Sequence, residues 1–201
     1  MNNEQGKPPI FQRLDVFRVP PGFRGRPAWF VQLWWLVQAT LFRLSPQVLY
    51  GWRRWLLRRF GARIGKGVLL RPSAQITYPW KLAIGDHAWI GDDVVLYTLG
   101  AIEIGAHAVV SQRSYLCTGS HDYTRPTFDI YAKPIMIGAQ AWLATDVFVA
   151  PGVEIGAGTV VGARSSVFKS LPAGMIACGS PAVAVRAREQ EQQRDSSLRS
   201  E

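Results

Sequence analysis

"IGDHAWIGDDVVLYTLGAIEIGAHAVV", residues 84–110, keeps a rhythm that belongs to neither common secondary structure. Ile84, Ile90 and Leu96, then Ile104 and Val110, recur at steps of six, and glycine follows Ile84, Ile90 and Ile104. An amphipathic helix repeats about every 3.6 residues and a half-buried strand about every two. A sustained step of six matches the sides of a β-helix, in which each coil is a short circuit of the chain and the coils stack.

Outward from this stretch the aliphatic positions fall into triplets: Ile64, Leu70, Ile76; Ile84, Ile90, Leu96; Ile104, Val110, Leu116; Ile137, Leu143, Val149; Ile155, Val161, Val167. Every step within a triplet is six, whereas two, two, fifteen and no extra residues separate successive triplets. The extra residues always fall at the same place. That is the behaviour of a three-sided coil, because insertions leave the stack at one corner while the sides stay in phase to pair. The expected fold is mainly β, a parallel β-helix of about five coils over residues 64–170, interrupted by a loop over 118–134. Residues 1–63 form a basic, Trp-rich N-terminal segment with helices, and residues 171–201 a C-terminal extension and tail. From 187 to 201 the chain is polar and expected to fray. The residue after each inward aliphatic suits a tight corner, where a side chain would collide or φ is positive. Stacking also aligns polar residues at about 4.8 Å. Ser73, Asp93, Arg113, Asp146 and Arg164 form one such column, read as a structural ladder, and Gly67, His87, His107, Gln140 and Gly158 form another.

"CTGSHDYTRPTFDIYAKP", residues 117–134, breaks the rhythm and carries His121, which belongs to no column. A loop held on a rigid scaffold is a place for chemistry, and imidazole is the side chain whose proton affinity lies near neutrality. Asp122 either orients His121 or caps a turn. Cys117 is the rival within the same stretch, as a thiol nucleophile, although it follows the inward Leu116 and is expected to pack at the corner.

"IGAQAWLATDVFVAPGVEIGAGTVVGARSSVFKSLPAGMIACGSPA" resembles the C-terminal half of hexapeptide-repeat acetyltransferases of the galactoside and maltose acetyltransferase kind. With "QITYPWKLAIGD", "DDVVLYTLGAIEIGAH", "YLCTGSHDY" and the upstream run from "PPGFRGRPAWF" to "RRFGARIG", the chain is similar, along roughly residues 15 to 190, to the colanic acid biosynthesis acetyltransferases. The resemblance implies a left-handed coil, a homotrimer with active sites between subunits, acetyl-CoA as donor and a sugar hydroxyl as acceptor, here of an exopolysaccharide precursor. It implies His121 as general base, and Trp142, Ala144, Thr145, Ala163, Lys169 and Arg186 beside the cofactor. Lys169 and Arg186 could meet the CoA phosphates, as cations at the edge of such a groove do. Leu143-Ala144 stands where the family often has Ile-Gly, and the loop lacks the second histidine of the galactoside enzymes. No metal is expected. Two other classes stand against this one: a metal-dependent hydratase resembling γ-class carbonic anhydrases, for which His87, His107 and His121 are the only three histidines, and a non-catalytic β-helix scaffold.

The net charge of +9 is uneven. Residues 1–63 hold eleven Lys/Arg against Glu4 and Asp15, while the remainder holds twelve of each sign. Cations interleaved with tryptophan suit an anionic membrane surface, and the plain alternative is a solvated face; no nucleic-acid partner is expected. "AWFVQLWWLVQATLFRL", residues 28–44, is short of a comfortable membrane span and holds Gln32, Gln38 and Thr40. "PQVLYGWRRWLLRRFG", residues 46–61, places Leu49, Trp52, Leu56 and Phe60 on one helical face with Arg54 and Arg58 opposite. Two helices capping the first coil is the expected arrangement, and it is compatible with peripheral attachment to the inner face of the plasma membrane. Two cysteines and a polar, proline-rich opening predict a cytoplasmic chain with reduced thiols. Sequence does not choose between a nucleotide-linked sugar and a lipid-linked oligosaccharide as the acceptor.

Overall fold

A computed structural model describes residues 10–189. The repeat forms three parallel sheets that serve as the sides of a prism. The first side stacks strands Arg63–Ile64, Leu82–Ile84, Ile102–Ile104, Ile135–Ile137 and Glu154–Ile155. The second stacks Leu69–Leu70, Trp89–Ile90, Val109–Val110, Trp142–Leu143 and Val160–Val161. The third stacks Gln75–Ile76, Val95–Tyr97, Tyr115–Cys117, Phe148–Val149 and Ser166–Val167. All fifteen aliphatics of the triplets point inward, none more than 8% exposed, and each pairs in register with its counterpart in the next coil. Stacking continues past residue 170, where Leu171 bridges to Ile155 and strand Met175–Gly179 pairs in parallel with Val160–Val161. Strand Ala182–Ala187 then returns antiparallel and closes the end. Of the tail expected to fray, Ala187 ends that strand, and residues 190–201 lie outside the described residues.

The corners divide their two demands between different residues. At the glycine following the first-side aliphatic the requirement is close approach: a Cβ on Gly85 would sit 2.5 Å from the backbone nitrogen of Ala106 in the next coil. Positive φ is taken two residues later, at His87, His107 and Gln140, with φ of 58°, 58° and 59°. Asp93, Arg113, Asp146 and Arg164 take it at the next corner. Their column is a ladder as expected, with Arg113 bidentate to Asp146 at 2.8 Å and Arg164 4.0 Å from the same carboxylate.

The N-terminal segment lies across the open edge of the first coil. Helix α1, Ala28–Val37, runs into a π-helical turn at Gln38–Phe42, and α2 covers Tyr50–Arg59. Gly61, at φ 92°, ends α2 with a Schellman pattern in which Ala62 N–H donates to Leu57 O. An edge coil presents N–H and C=O groups that no coil above can pair, and the helices supply side chains in its place. The Trp34 indole N–H donates to Ile76 O at 2.8 Å, and Gln38 Oε1 accepts from Ile76 N–H at 2.7 Å. Arg53 donates to Leu70 O, Arg54 to Val68 O, and Arg58 to Ile64 O and Gly65 O.

This departs in part from the expected polarity of α2: Leu56 is buried and Phe60 packs on the core as expected, but the rest of that face differs. Trp52 and Leu49 are exposed at 37% and 44%, whereas Arg53 is fully buried and Arg54 and Arg58 reach toward the coil. Where α2 meets the carbonyls of the first coil, a guanidinium can reach several acceptors at once, whereas an indole offers a single N–H.

Candidate active site

The insertions of two, two and fifteen residues share the corner between the third and first sides, and they pack on one another. Tyr78 N–H donates to Thr98 Oγ1, and Gly100 N–H to Thr118 Oγ1; Thr98 and Thr118 return bonds to Tyr78 O and Tyr97 O. On this threonine ladder the fifteen-residue insertion rises as an antiparallel hairpin of Gly119–His121 with Ile130–Ala132. Its root rests on a second small core of Val31, Tyr78 and Leu99, against which Phe23, Ile130 and Ala132 also pack. The N-terminal arm is stitched to the same corner: the Trp80 indole donates to Arg24 O, Lys81 Nζ to Phe23 O and Leu99 O, and Arg13 N–H to Pro126 O at the hairpin tip.

His121 is half-buried at the end of the first hairpin strand. Its Nδ1 lies 2.8 Å from Phe128 O. A carbonyl oxygen only accepts, so Nδ1 carries the proton and Nε2 keeps its lone pair free. Phe128 is held in the left-handed region at φ 51°, an uncommon conformation for a bulky residue and a form of local strain that clusters at functional sites. The Phe128 ring stacks flat on the imidazole at 4.2 Å, and Phe17 of the arm packs on it at 5.6 Å, tilted by 56°. The ring is thereby fixed in position and tautomer, with one basic nitrogen available.

Asp122 does not supply that orientation. Its carboxylate accepts from Thr124 N–H and Oγ1–H and lies 3.6 Å from Arg125, which makes it a turn cap and holds its pKa below the usual carboxylate value, chiefly through the Thr124 hydroxyl. Cys117 is half-buried with Sγ–H donating to Gly119 O, and burial pushes its thiol pKa up. A thiol held protonated is a poor nucleophile.

Of the residues expected beside the cofactor, Trp142 lies on the second side, and Ala144, Thr145 and Ala163 fall at the adjoining corner on successive coils. Thr145 is engaged there, donating to Gln112 O and accepting from Arg113. Lys169 is exposed at the hairpin's corner, two coils further on, and Arg186 is exposed on the closing strand. Lys169 stands apart from the other four within one chain, whereas Arg186 extends the second side, in register with Trp142 through Ile176 and Val160. Trp142 also walls a groove of about 590 Å³ along the second side, whose opposite wall is Trp89 and whose floor is Val109, with Arg71, Asp92 and Ser111 among its polar groups. The Trp142 indole donates to Ser111 Oγ at 3.0 Å, and Asp92 is bonded to Arg71, which holds its carboxyl below the usual range. His87 and His107 stack at 5.2 Å, and among the described residues no group of three or more His, Cys, Asp or Glu stands together.

Phe128 and Phe17 are the residues that sequence reading missed. Phe128 lies inside the loop already singled out, but nothing in its spacing announces a left-handed backbone. Phe17 is more than a hundred residues from His121 in a stretch with no period.

Comparison with known proteins agrees on one class. No family model matches the chain. A protein of Escherichia coli K12 named colanic acid biosynthesis acetyltransferase WcaF is 68% identical over 177 residues, which are 88% of this chain and 97% of that protein. Among solved structures, a hexapeptide-repeat acetyltransferase of Vibrio cholerae O1 biovar eltor complexed with acetyl coenzyme A superposes with a TM-score of 0.72 at 26% identity, covering 84% of this chain and 88% of that one. A galactoside acetyltransferase in complex with coenzyme A shares the fold at a TM-score of 0.76 and 22% identity, over 93% of this chain and 94% of that one.

Proposed function

The chain belongs to the colanic acid biosynthesis acetyltransferases of the hexapeptide-repeat class, and from that premise we propose that it moves acetyl from acetyl-CoA to a sugar hydroxyl of an exopolysaccharide precursor, with His121 as the general base. The observation that carries this reading is the Nδ1–Phe128 O bond, which leaves Nε2 as a free base on a hairpin. Acetyl-CoA supplies the acyl carbon as an activated thioester. His121 takes the hydroxyl proton at Nε2 as the sugar oxygen attacks, and hands it to the departing sulfur as the C–S bond breaks, so the imidazole ends neutral. The phenyl rings of Phe128 and Phe17 hold it aligned throughout. Transfer is direct, without an acetyl group on Cys117.

Topology supports a shared site. The hairpin leaves the corner between the third and first sides, and the Trp142 groove runs along the second side, which is opposite that corner. One copy cannot bring His121 over its own groove; a neighbouring copy can, as in a homotrimer. The groove's two indoles and small-residue corner suit the cofactor's slender arm, with Lys169 and Arg186 as exposed cations for its phosphates. A lipid-linked oligosaccharide acceptor, met at the cytoplasmic leaflet, fits the exopolysaccharide reading.

The test is thiol release from acetyl-CoA with candidate lipid-linked and nucleotide sugars. His121→Ala should lose about 10²–10⁴ in rate with its melting temperature unchanged, and comparable turnover would sink the assignment. Co-refolding His121→Ala with Trp142→Ala tests sharing: if each site takes one element from each copy, the mixture of two inactive variants recovers about a quarter of the wild-type rate. No recovery would place the whole site within one chain.

A further inference from the structure

The helical cap turns one side to the first coil and leaves the other bare. On α1 the inward residues are Val31 and Trp34, and on α2 they are Arg53, Leu56 and Leu57. The outer side carries Trp29, Leu33 and Leu36 from α1, Leu44 and Val48 from the connection, and Trp55 from α2, exposed by 67, 42, 63, 78, 79 and 50%. Soluble surfaces scatter such residues singly; six gathered at one end of a solenoid mark a contact surface.

The charge around them is of one sign. Between Asp15 and Asp86 the chain has twelve Lys/Arg and no acidic residue. Several of these have internal duties: Arg53, Arg54, Arg58 and Lys81 bond carbonyls, and Arg63 and Arg71 pair with Glu103 and Asp92. Arg26, Arg43 and Arg59 are exposed and have no carboxylate or carbonyl partner among the described residues. They flank the bare side: Arg26 precedes α1, Arg43 follows the π turn, and Arg59 ends α2.

We propose that this end of the solenoid rests in the interface of an anionic bilayer. Trp29, Leu36, Leu44, Val48 and Trp55 enter the boundary between headgroups and acyl chains, and Arg26, Arg43 and Arg59 meet lipid phosphates. The contact is peripheral, since among the described residues no helix is long and apolar enough to cross a membrane. A second copy of the chain is the competing occupant, and the charge disfavours it: apposing two such faces brings arginine against arginine with no acid to separate them. Nothing in this surface involves His121 or the groove, so it stands or falls separately from the acyl-transfer reading.

The experiment sediments the full-length protein with phosphatidylcholine vesicles, with and without phosphatidylglycerol, at low and high salt. Binding is expected only with phosphatidylglycerol, and weaker in high salt. Arg43→Gln and Arg59→Gln should each reduce partitioning about fivefold. Combining Leu36→Ser, Leu44→Ser and Val48→Ser should reduce it about a hundredfold with the melting temperature little changed, because these side chains are largely exposed and lie outside the core. Arg53, Arg54 and Arg58 are left intact, being needed by the first coil. Failure of the wild type to bind phosphatidylglycerol vesicles at low salt, or undiminished binding by the triple serine variant, overturns the proposal. So does light scattering that finds the triple variant in a smaller assembly than the wild type, which would assign the face to a second copy.

Discussion

The two ends of the solenoid are closed by different chemistry. At the C-terminal end the main chain does most of the work: strand Ala182–Ala187 folds back on Met175–Gly179, helped by the Thr159, Ser165 and Ser170 hydroxyls and by Arg188, which donates to Gln140 O and Gly158 O. At the N-terminal end no backbone among the described residues continues the stack, and Trp34, Gln38, Arg53, Arg54 and Arg58 stand in for the missing coil. The difference shows what a positive N-terminal segment can be for. A row of edge carbonyls is a weakly negative surface inside the protein, and much of the charge excess that would suggest an external partner is answered by it. Only the arginines left over bear on what the cap meets outside.

That contrast can be broken by substitution, and the largest effect should come from Arg53. It is fully buried, donates to Leu70 O, Ser45 Oγ, Pro46 O and Gln47 O, and packs on the Tyr50 ring at 4.9 Å. Arg53→Met fills most of the volume but strands several acceptors, and should cost about 3–5 kcal/mol in urea unfolding. Arg53→Lys should recover less than half of that, because a point ammonium cannot span acceptors arranged for a fork. A loss below about 1 kcal/mol for Arg53→Met would mean that water replaces the guanidinium readily and the end needs no side-chain closure.

Next in size, the pair Arg54→Gln and Arg58→Gln should cost about 2 kcal/mol together, since both are partly solvated and each bonds carbonyls of the same edge. Smaller again, Phe17→Ala should leave unfolding nearly unchanged while lowering kcat about tenfold with KM little altered, because it removes one wall from the His121 imidazole rather than a contact with substrate. At the other end, Arg188→Ala should cost no more than about 0.5 kcal/mol, read as the shift in unfolding midpoint, since its guanidinium is exposed and the backbone already seals that end.

Cysteine reactivity separates the two thiols. Cys178 is exposed and should be alkylated first by iodoacetamide at pH 8. Cys117, whose pKa is raised by burial, should react slowly, with its rate climbing only above the ordinary thiol range. Fast labelling of Cys117 at pH 7 would reopen it as a nucleophile.

What repeats was legible in the sequence, and what does not repeat was not. The fifteen inward aliphatics and the single insertion corner follow from counting, because stacking forces every coil to obey one period. The corner residues were legible as columns, but their backbone was not: His87 and Asp93 look like surface side chains aligned for charge, whereas each sits at a position of positive φ. The face of α2 was read correctly at Leu56 and Phe60 and misread at Leu49, Trp52 and the arginines, for a physical reason. A helical wheel assumes that arginine seeks water, and here the neighbouring surface was itself polar. For the histidine, its place in the loop could be read, but its orienting partner could not: Asp122 is the adjacent candidate, and the carbonyl that does the holding belongs to Phe128, seven residues on.

The hairpin at the insertion corner also has a consequence for how the chain assembles. Most neighbouring coils bring together residues about 20 apart, as Leu96 and Leu116 are, but the hairpin stretches one step to 33, between Leu116 and Val149. Loop-closure entropy grows only with the logarithm of length, so the longer step adds about 0.4 kcal/mol to forming that rung. Its effect falls on folding speed more than on stability, making the junction between the third and fourth coils the slowest to zip and leaving two segments free to nucleate separately.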